Sequence, residues 1–156
     1  MNIKKLETLV ISILIPLAVG FLSSALSRNT SNTYETLIKP DISPPGYLFP
    51  IVWTILYILM GISSYLIYTS DSEHKTKALN IYAAQLIFNF FWSIIFFRYN
   101  NYLLAFVWLL VLIVLIILMI KTFYEIKPIA GILQVFYLLW CIFAAYLNLN
   151  IYLLNR

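Results

Sequence analysis

The side chains that could do chemistry here are indoles, phenols and amides set inside apolar segments. Trp53, Trp92 and Trp140 each fall mid-segment among Leu, Ile and Phe. Phe49, Trp53, Tyr57, Met60 and Ser64 recur at helical spacing and share one face. Gln85, Asn89 and Trp92 follow at i, i+4 and i+7, with Tyr82 and Phe96 extending that face. Tyr137, Trp140, Ala144 and Asn148 form a third stripe at i, i+3, i+7 and i+11. Aromatic faces with a few uncharged amides are how a pocket for a small flat ligand is built. Amides in hydrocarbon are costly unless a neighbouring helix or a ligand satisfies them. Gln85 and Asn89 therefore fit two compatible readings, hydrogen bonds that glue helices together and pocket lining.

Other chemistries find little support. No acid–base pair or activated nucleophile lies in the apolar segments. His74 is the only histidine, sits among solvated charges, and has no second ligand cluster for a metal. Cys141 is the one cysteine and reads as a small packing residue. Trp108, in an otherwise aliphatic segment, also reads as packing. No Asp, Glu, Lys or Arg lies in the interior of the apolar segments to couple an ion, with Glu7, Arg98 and Lys121 at their ends, and no inverted repeat is visible, which argues against a secondary transporter.

The elements that must position these residues follow from composition. Of 156 residues, 63% are hydrophobic and 10% charged, against about 25% charged in a soluble domain. Mean hydropathy is +0.92. The expected class is an all-α polytopic membrane protein, a single bundle of five transmembrane helices. The net charge of +4 suits lysines near anionic lipid better than a nucleic-acid surface.

The predicted spans are about 6–27, 47–68, 78–98, 102–121 and 128–152. The first resembles a signal peptide in outline, but its long uncharged run and its stripe of Pro16, Gly20, Ser23 and Ser27 favour a retained packing helix. Pro40, Pro44, Pro45 and Pro50 punctuate the approach to the second span, so its helix should start between Pro45 and Pro50. The polar stretch 28–46 fits a lid over the pocket or a flexible loop. The fourth span is almost wholly Leu, Ile and Val, which predicts contact with lipid or a partner subunit. Five spans put the lid and the C-terminus at one end. Six lysines at the N-terminal end, against Arg28, Lys39, Arg98 and Arg156, lean toward a cytoplasmic N-terminus.

Taken together, Lys39-Pro40, Pro44-Pro45, Pro50-Ile51-Val52-Trp53, Tyr57, Met60-Gly61 and Ser64-Tyr65-Leu66 resemble the signature of the TspO/MBR family. This is the family of tryptophan-rich sensory proteins, translocator proteins and peripheral-type benzodiazepine receptors. Gln85-Leu86, Asn89, Trp92 and Phe96-Phe97 are similar to its third helix, and Trp140, Phe143-Ala144 and Leu147-Asn148 to its fifth. The resemblance covers nearly the whole chain. There are departures: Ile42 stands where the family usually has a tryptophan, Val135-Phe136 where it has Pro-Tyr, and the fourth helix has one tryptophan.

The resemblance implies a homodimeric five-helix bundle, in a bacterial cell membrane for a chain this short. Its pocket would bind protoporphyrin IX-like tetrapyrroles and synthetic isoquinoline or benzodiazepine ligands. No cofactor is required; the porphyrin would be ligand, or substrate if light and oxygen degrade it with Trp53 and Trp140 as electron donors, and a third alternative is transport of a tetrapyrrole or sterol. Tyr34 would come from the lid, Trp53 and Trp140 would flank the pocket, and Asn89, Ala144 and Leu147 would line it. Membrane lipid, and sterol through a permissive motif of Leu149, Tyr152 and Arg156, complete the expected partners.

Overall fold

Prolines and long apolar runs set the boundaries of the helices. A computed structural model describes residues 1–27 and 30–156. Arg28 and Asn29, at the start of the predicted lid, lie outside the described residues. The elements are α1 (Ile3–Ser27), α2 (Thr30–Thr36), α3 (Leu48–Tyr68), α4 (Lys75–Ser93) continued by a π-helical turn (Ile94–Arg98), α5 (Tyr102–Ile126), α6 (Pro128–Leu133) and α7 (Val135–Asn155). There is no strand among the described residues. Five helical stretches are long and apolar enough to cross a membrane, the last being α6 and α7 together. The C-terminal Asn155 pairs with Ile38 of the lid, so both lie at one end of the bundle.

From residue 30 to 46 the segment is more ordered than a loop. It contains α2, whose Tyr34 is buried, and it ends where Pro45 and Gly46 accept the first backbone bonds of α3. Lys75, Ile126 and Asn155 extend three spans beyond the predicted limits of 78, 121 and 152. These extensions are polar or amphipathic turns that apolar periodicity does not register.

α5 keeps the exposed apolar face and the absence from the cavity wall that its sequence implies, but its other face belongs to the core. One face buries Ala105, Leu109, Leu112, Ile116, Met119 and Phe123 against α4, α6 and α7, while Val107, Val111 and Val114 stay exposed. A uniformly apolar helix gives no sign of which side faces protein, because lipid and core are equally apolar. Trp108 stacks on Phe88 at 4.3 Å between ring centroids and donates its Nε1–H to the Phe88 carbonyl at 2.8 Å. The half-buried indole thereby satisfies its one donor.

The fifth span breaks at Gln134. Its side chain turns inward, fully buried, and its Nε2 donates to the Leu59 carbonyl (3.2 Å) and to Ser63 Oγ (2.7 Å) of α3. α1 and α3 approach closely at two glycines. Gly61 faces the backbone of Ser12 and Ile13, and Gly20 faces the Tyr57 ring.

Candidate functional site

The aromatic stripes meet at the lid end of the bundle, around a cavity of about 510 Å³. α3 contributes Phe49, Trp53 and Tyr57, α4 with its π-helical turn (together the fourth-helix stretch, residues 75–98) Asn89, Trp92, Phe96 and Phe97, and α7 Trp140, Ala144, Leu147 and Asn148. Tyr34 and Gly46 close it from the lid. Among the described residues lining it there is no Asp, Glu, Lys, Arg or His. Such a chamber holds a ligand by dispersion, stacking and a few neutral hydrogen bonds.

The walls brace one another through their rings. Tyr34 meets Phe49 edge-on at 5.0 Å, and Phe49 meets Trp140 at 5.7 Å. Trp53 stacks on Tyr57 at 5.6 Å and turns an edge toward Tyr137 at 6.1 Å. Trp92 donates its Nε1–H to Asn148 Oδ1 at 3.1 Å, and Asn148 Nδ2 donates to the Tyr102 carbonyl at 2.8 Å. Two wall residues thus satisfy each other and tie α4 to α7 and α5.

The floor is a hydrogen-bonded chain. Tyr57 Oη donates to Asn89 Oδ1 (2.7 Å), Asn89 Nδ2 to Tyr137 Oη (2.9 Å), and Tyr137 Oη to Gln85 Oε1 (2.7 Å). Gln85 Nε2 then faces Met60 Sδ at 3.9 Å. Gln85 and Tyr137 are essentially fully buried and do not reach the cavity surface. For Gln85 the interhelical reading describes its position, and Asn89 serves both as wall and as glue. Asn89→Ala removes the acceptor of one buried phenol and a donor to the other. It is expected to cost about 1–3 kcal/mol, with much less added by Tyr57→Phe in the same chain. Thermal unfolding of the two single variants and the double variant in detergent checks this, and simple additivity would contradict the chain.

The lid is fastened by its own backbone. Tyr34 Oη donates to the Pro44 carbonyl at 2.7 Å. Lys39 Nζ donates to the Tyr34 and Leu37 carbonyls at 2.7 and 3.2 Å and lies 4.6 Å above the Tyr34 ring. Asn155 Oδ1 accepts from Ile38 N at 3.1 Å while its Nδ2 donates to Ile38 O at 2.8 Å. Burial pushes the Tyr34 phenol above its ordinary value of 10.0. The neutral form is the one the folded lid favours. Its contribution is therefore complete below the unfolded value and disappears as pH rises through the higher folded one. The mobility of a spin label at position 42 of the lid is expected to be independent of pH from about 6 to 9 and to rise above about 10. A Tyr34→Phe variant lacking that alkaline limb would confirm the assignment.

The sequence reading missed one whole wall. Leu17, Gly20, Phe21, Ser23 and Ser24 of α1 line the cavity. The small-residue stripe was the one signal, but it reads equally as packing. The π-helical turn was missed too. Tyr99 N donates to the Ile94 carbonyl five residues back, at 3.2 Å, and the wider turn lets the adjacent Phe96 and Phe97 both face the cavity. Leu149 and Tyr152 share one face of α7, Arg156 follows its last residue, and none of the three lines the cavity.

The sequence pattern of the TspO/MBR family matches residues 12–154. The chain belongs to the TspO/MBR family. It is 39% identical to the "Tryptophan-rich protein TspO" of Archaeoglobus fulgidus, over 99% of both chains. It is 38% identical to the protein of the same name from Chlorobaculum tepidum, over 97% of this chain and 98% of that one. A more distant relative is the "Translocator protein" of Ovis aries, 33% identical over 92% of this chain and 87% of the other. As a TspO/MBR protein with five spanning helices the chain is an integral membrane protein, and its cavity sits among the aromatic residues on which the resemblance rested.

Proposed function

We propose that this TspO/MBR protein is a membrane receptor for flat, largely apolar ligands: protoporphyrin IX-like tetrapyrroles, and isoquinoline or benzodiazepine compounds. The observation that carries the reading is the uncharged, aromatic-walled cavity beneath a fastened lid. Its volume lies within the range of about 300–1,000 Å³ usual for small-ligand sites. Titrating protoporphyrin IX into the protein in detergent is expected to quench tryptophan fluorescence saturably, and Trp140→Ala to weaken binding. No saturable quenching would mean that the aromatics only pack. The reading extends to a homodimer, checked by light scattering in detergent. Sterol binding at Leu149, Tyr152 and Arg156 would be a separate site on the outside of α7.

A second reading is favoured by the Trp53–Tyr57 stack next to the buried phenol chain. A light-excited porphyrin and dioxygen would supply oxidising chemistry, with Trp53 and Trp140 as electron donors. In a Trp53→Phe/Trp140→Phe double variant that still binds, porphyrin loss under light stops if this is right. Loss at the wild-type rate excludes the tryptophans as its agents.

A further inference from the structure

We infer that the ligand reaches this cavity sideways from the bilayer, through a window between α1 and α3, and not past the lid; the inference rests on the receptor reading. Phe21, Ser24, Pro50 and Thr54 all belong to the cavity wall, and all four are exposed, Phe21 at 74%. Wall residues that are also exposed, two on each of two neighbouring helices, fit the rim of an opening between them. Both helices are spanning helices, so the surface around this opening faces lipid. Phe21 lies six residues inside the end of α1, and Thr54 six residues inside the start of α3. At 1.5 Å per residue both sit about 9 Å in from the lid end.

The window has a structural origin. Up to Gly20, α1 is packed against α3, with Gly61 against the Ser12–Ile13 backbone and Gly20 against the Tyr57 ring. Beyond Gly20, α1 is held by the fourth-helix stretch instead. Ser23 Oγ donates to the Phe90 carbonyl at 2.7 Å, Ser27 Oγ pairs with Ser93 Oγ at 2.9 Å, and Arg98 Nη1 donates to the Leu26 carbonyl at 3.3 Å. The first turn of α3 is drawn the other way, through Phe49, toward Tyr34 and Trp140. The two helices are thus pulled to different partners and leave a gap. The polar edge of the gap is quiet, because Thr54 Oγ1 donates to the Pro50 carbonyl at 2.6 Å. The route past the lid is fastened, in contrast, by the Tyr34–Pro44 and Asn155–Ile38 bonds and by Lys39. An apolar ligand concentrated in the bilayer meets the open side first.

The test uses the full chain in phosphatidylcholine nanodiscs and protoporphyrin IX, read by stopped-flow fluorescence. Ser24→Phe and Thr54→Phe narrow the window from its two sides. Each is expected to slow association at least tenfold and to slow dissociation with it, whereas a lost wall contact would speed dissociation. Asn155→Ala, which unfastens the lid, is expected to change both rates less than twofold. Unchanged rates in both window variants, or marked acceleration by Asn155→Ala, would overturn the window. Absence of saturable binding to the wild type would instead sink the receptor reading itself.

Discussion

Ala144→Phe is expected to lower affinity for protoporphyrin IX at least a hundredfold, about 2.7 kcal/mol, while the bundle remains folded. Ala144 lies in the cavity wall one turn from both Trp140 and Asn148, and it is only 6% exposed. A benzyl group there has the cavity as its nearest free space, so it takes the volume a flat ligand would use. Overpacking normally costs about 1–3 kcal/mol because neighbours must move. Here the new ring enters space that is already empty, so the melting temperature should change little. Fluorescence-quenching titration and thermal unfolding in the same detergent read the two quantities separately. Wild-type affinity in a folded variant would place the ligand outside this cavity.

Gly61→Ala is expected to be the most destabilising single-methyl change in the bundle, about 2–4 kcal/mol. A Cβ at position 61 would lie 2.7 Å from the Ser12 carbonyl oxygen and closer still to the Ile13 Cα. These are backbone atoms of another helix and cannot rotate away, so α1 as a whole must retreat. Because α1 carries Leu17, Phe21 and Ser24 into the cavity wall, ligand affinity should fall together with stability. Gly46→Ala is the control. There the new methyl meets the end of the Glu35 side chain at 3.0 Å, which can swing aside, so its cost should stay below about 1 kcal/mol. Chemical denaturation of the two variants in mixed micelles ranks them, and equal losses would remove the close α1–α3 packing as the cause.

Much of the wall is legible in the order of residues alone. A helical stripe is a local property: Trp53 and Tyr57, Asn89 and Trp92, and Trp140, Ala144 and Asn148 share faces because of the 3.6-residue period. Such residues face inward when aromatic and amide groups interrupt an otherwise aliphatic run. The lid is legible only as a polar, proline-rich stretch. Its α2 helix, with Tyr34 turned to Pro44, depends on contacts that sequence spacing does not encode. The break at Gln134 is invisible for the same reason. With no proline there, the kink is held by bonds from the Gln134 side chain to Leu59 and Ser63 on another helix.

The amino-acid sequence by itself determined the class, the number of spanning helices and the membership of three stripes, because apolar length and helical period are written along the chain. Only the tertiary structure decided which stripe residues face empty space and which face each other. Gln85 and Tyr137 share their stripes with wall residues, yet they are consumed in the chain beneath the floor. Tertiary structure also made α1 a wall. The Ser23 and Ser27 hydroxyls commit it to the fourth-helix stretch, and the gap this leaves against α3 is set by competing contacts between helices, to which no periodicity in the sequence corresponds.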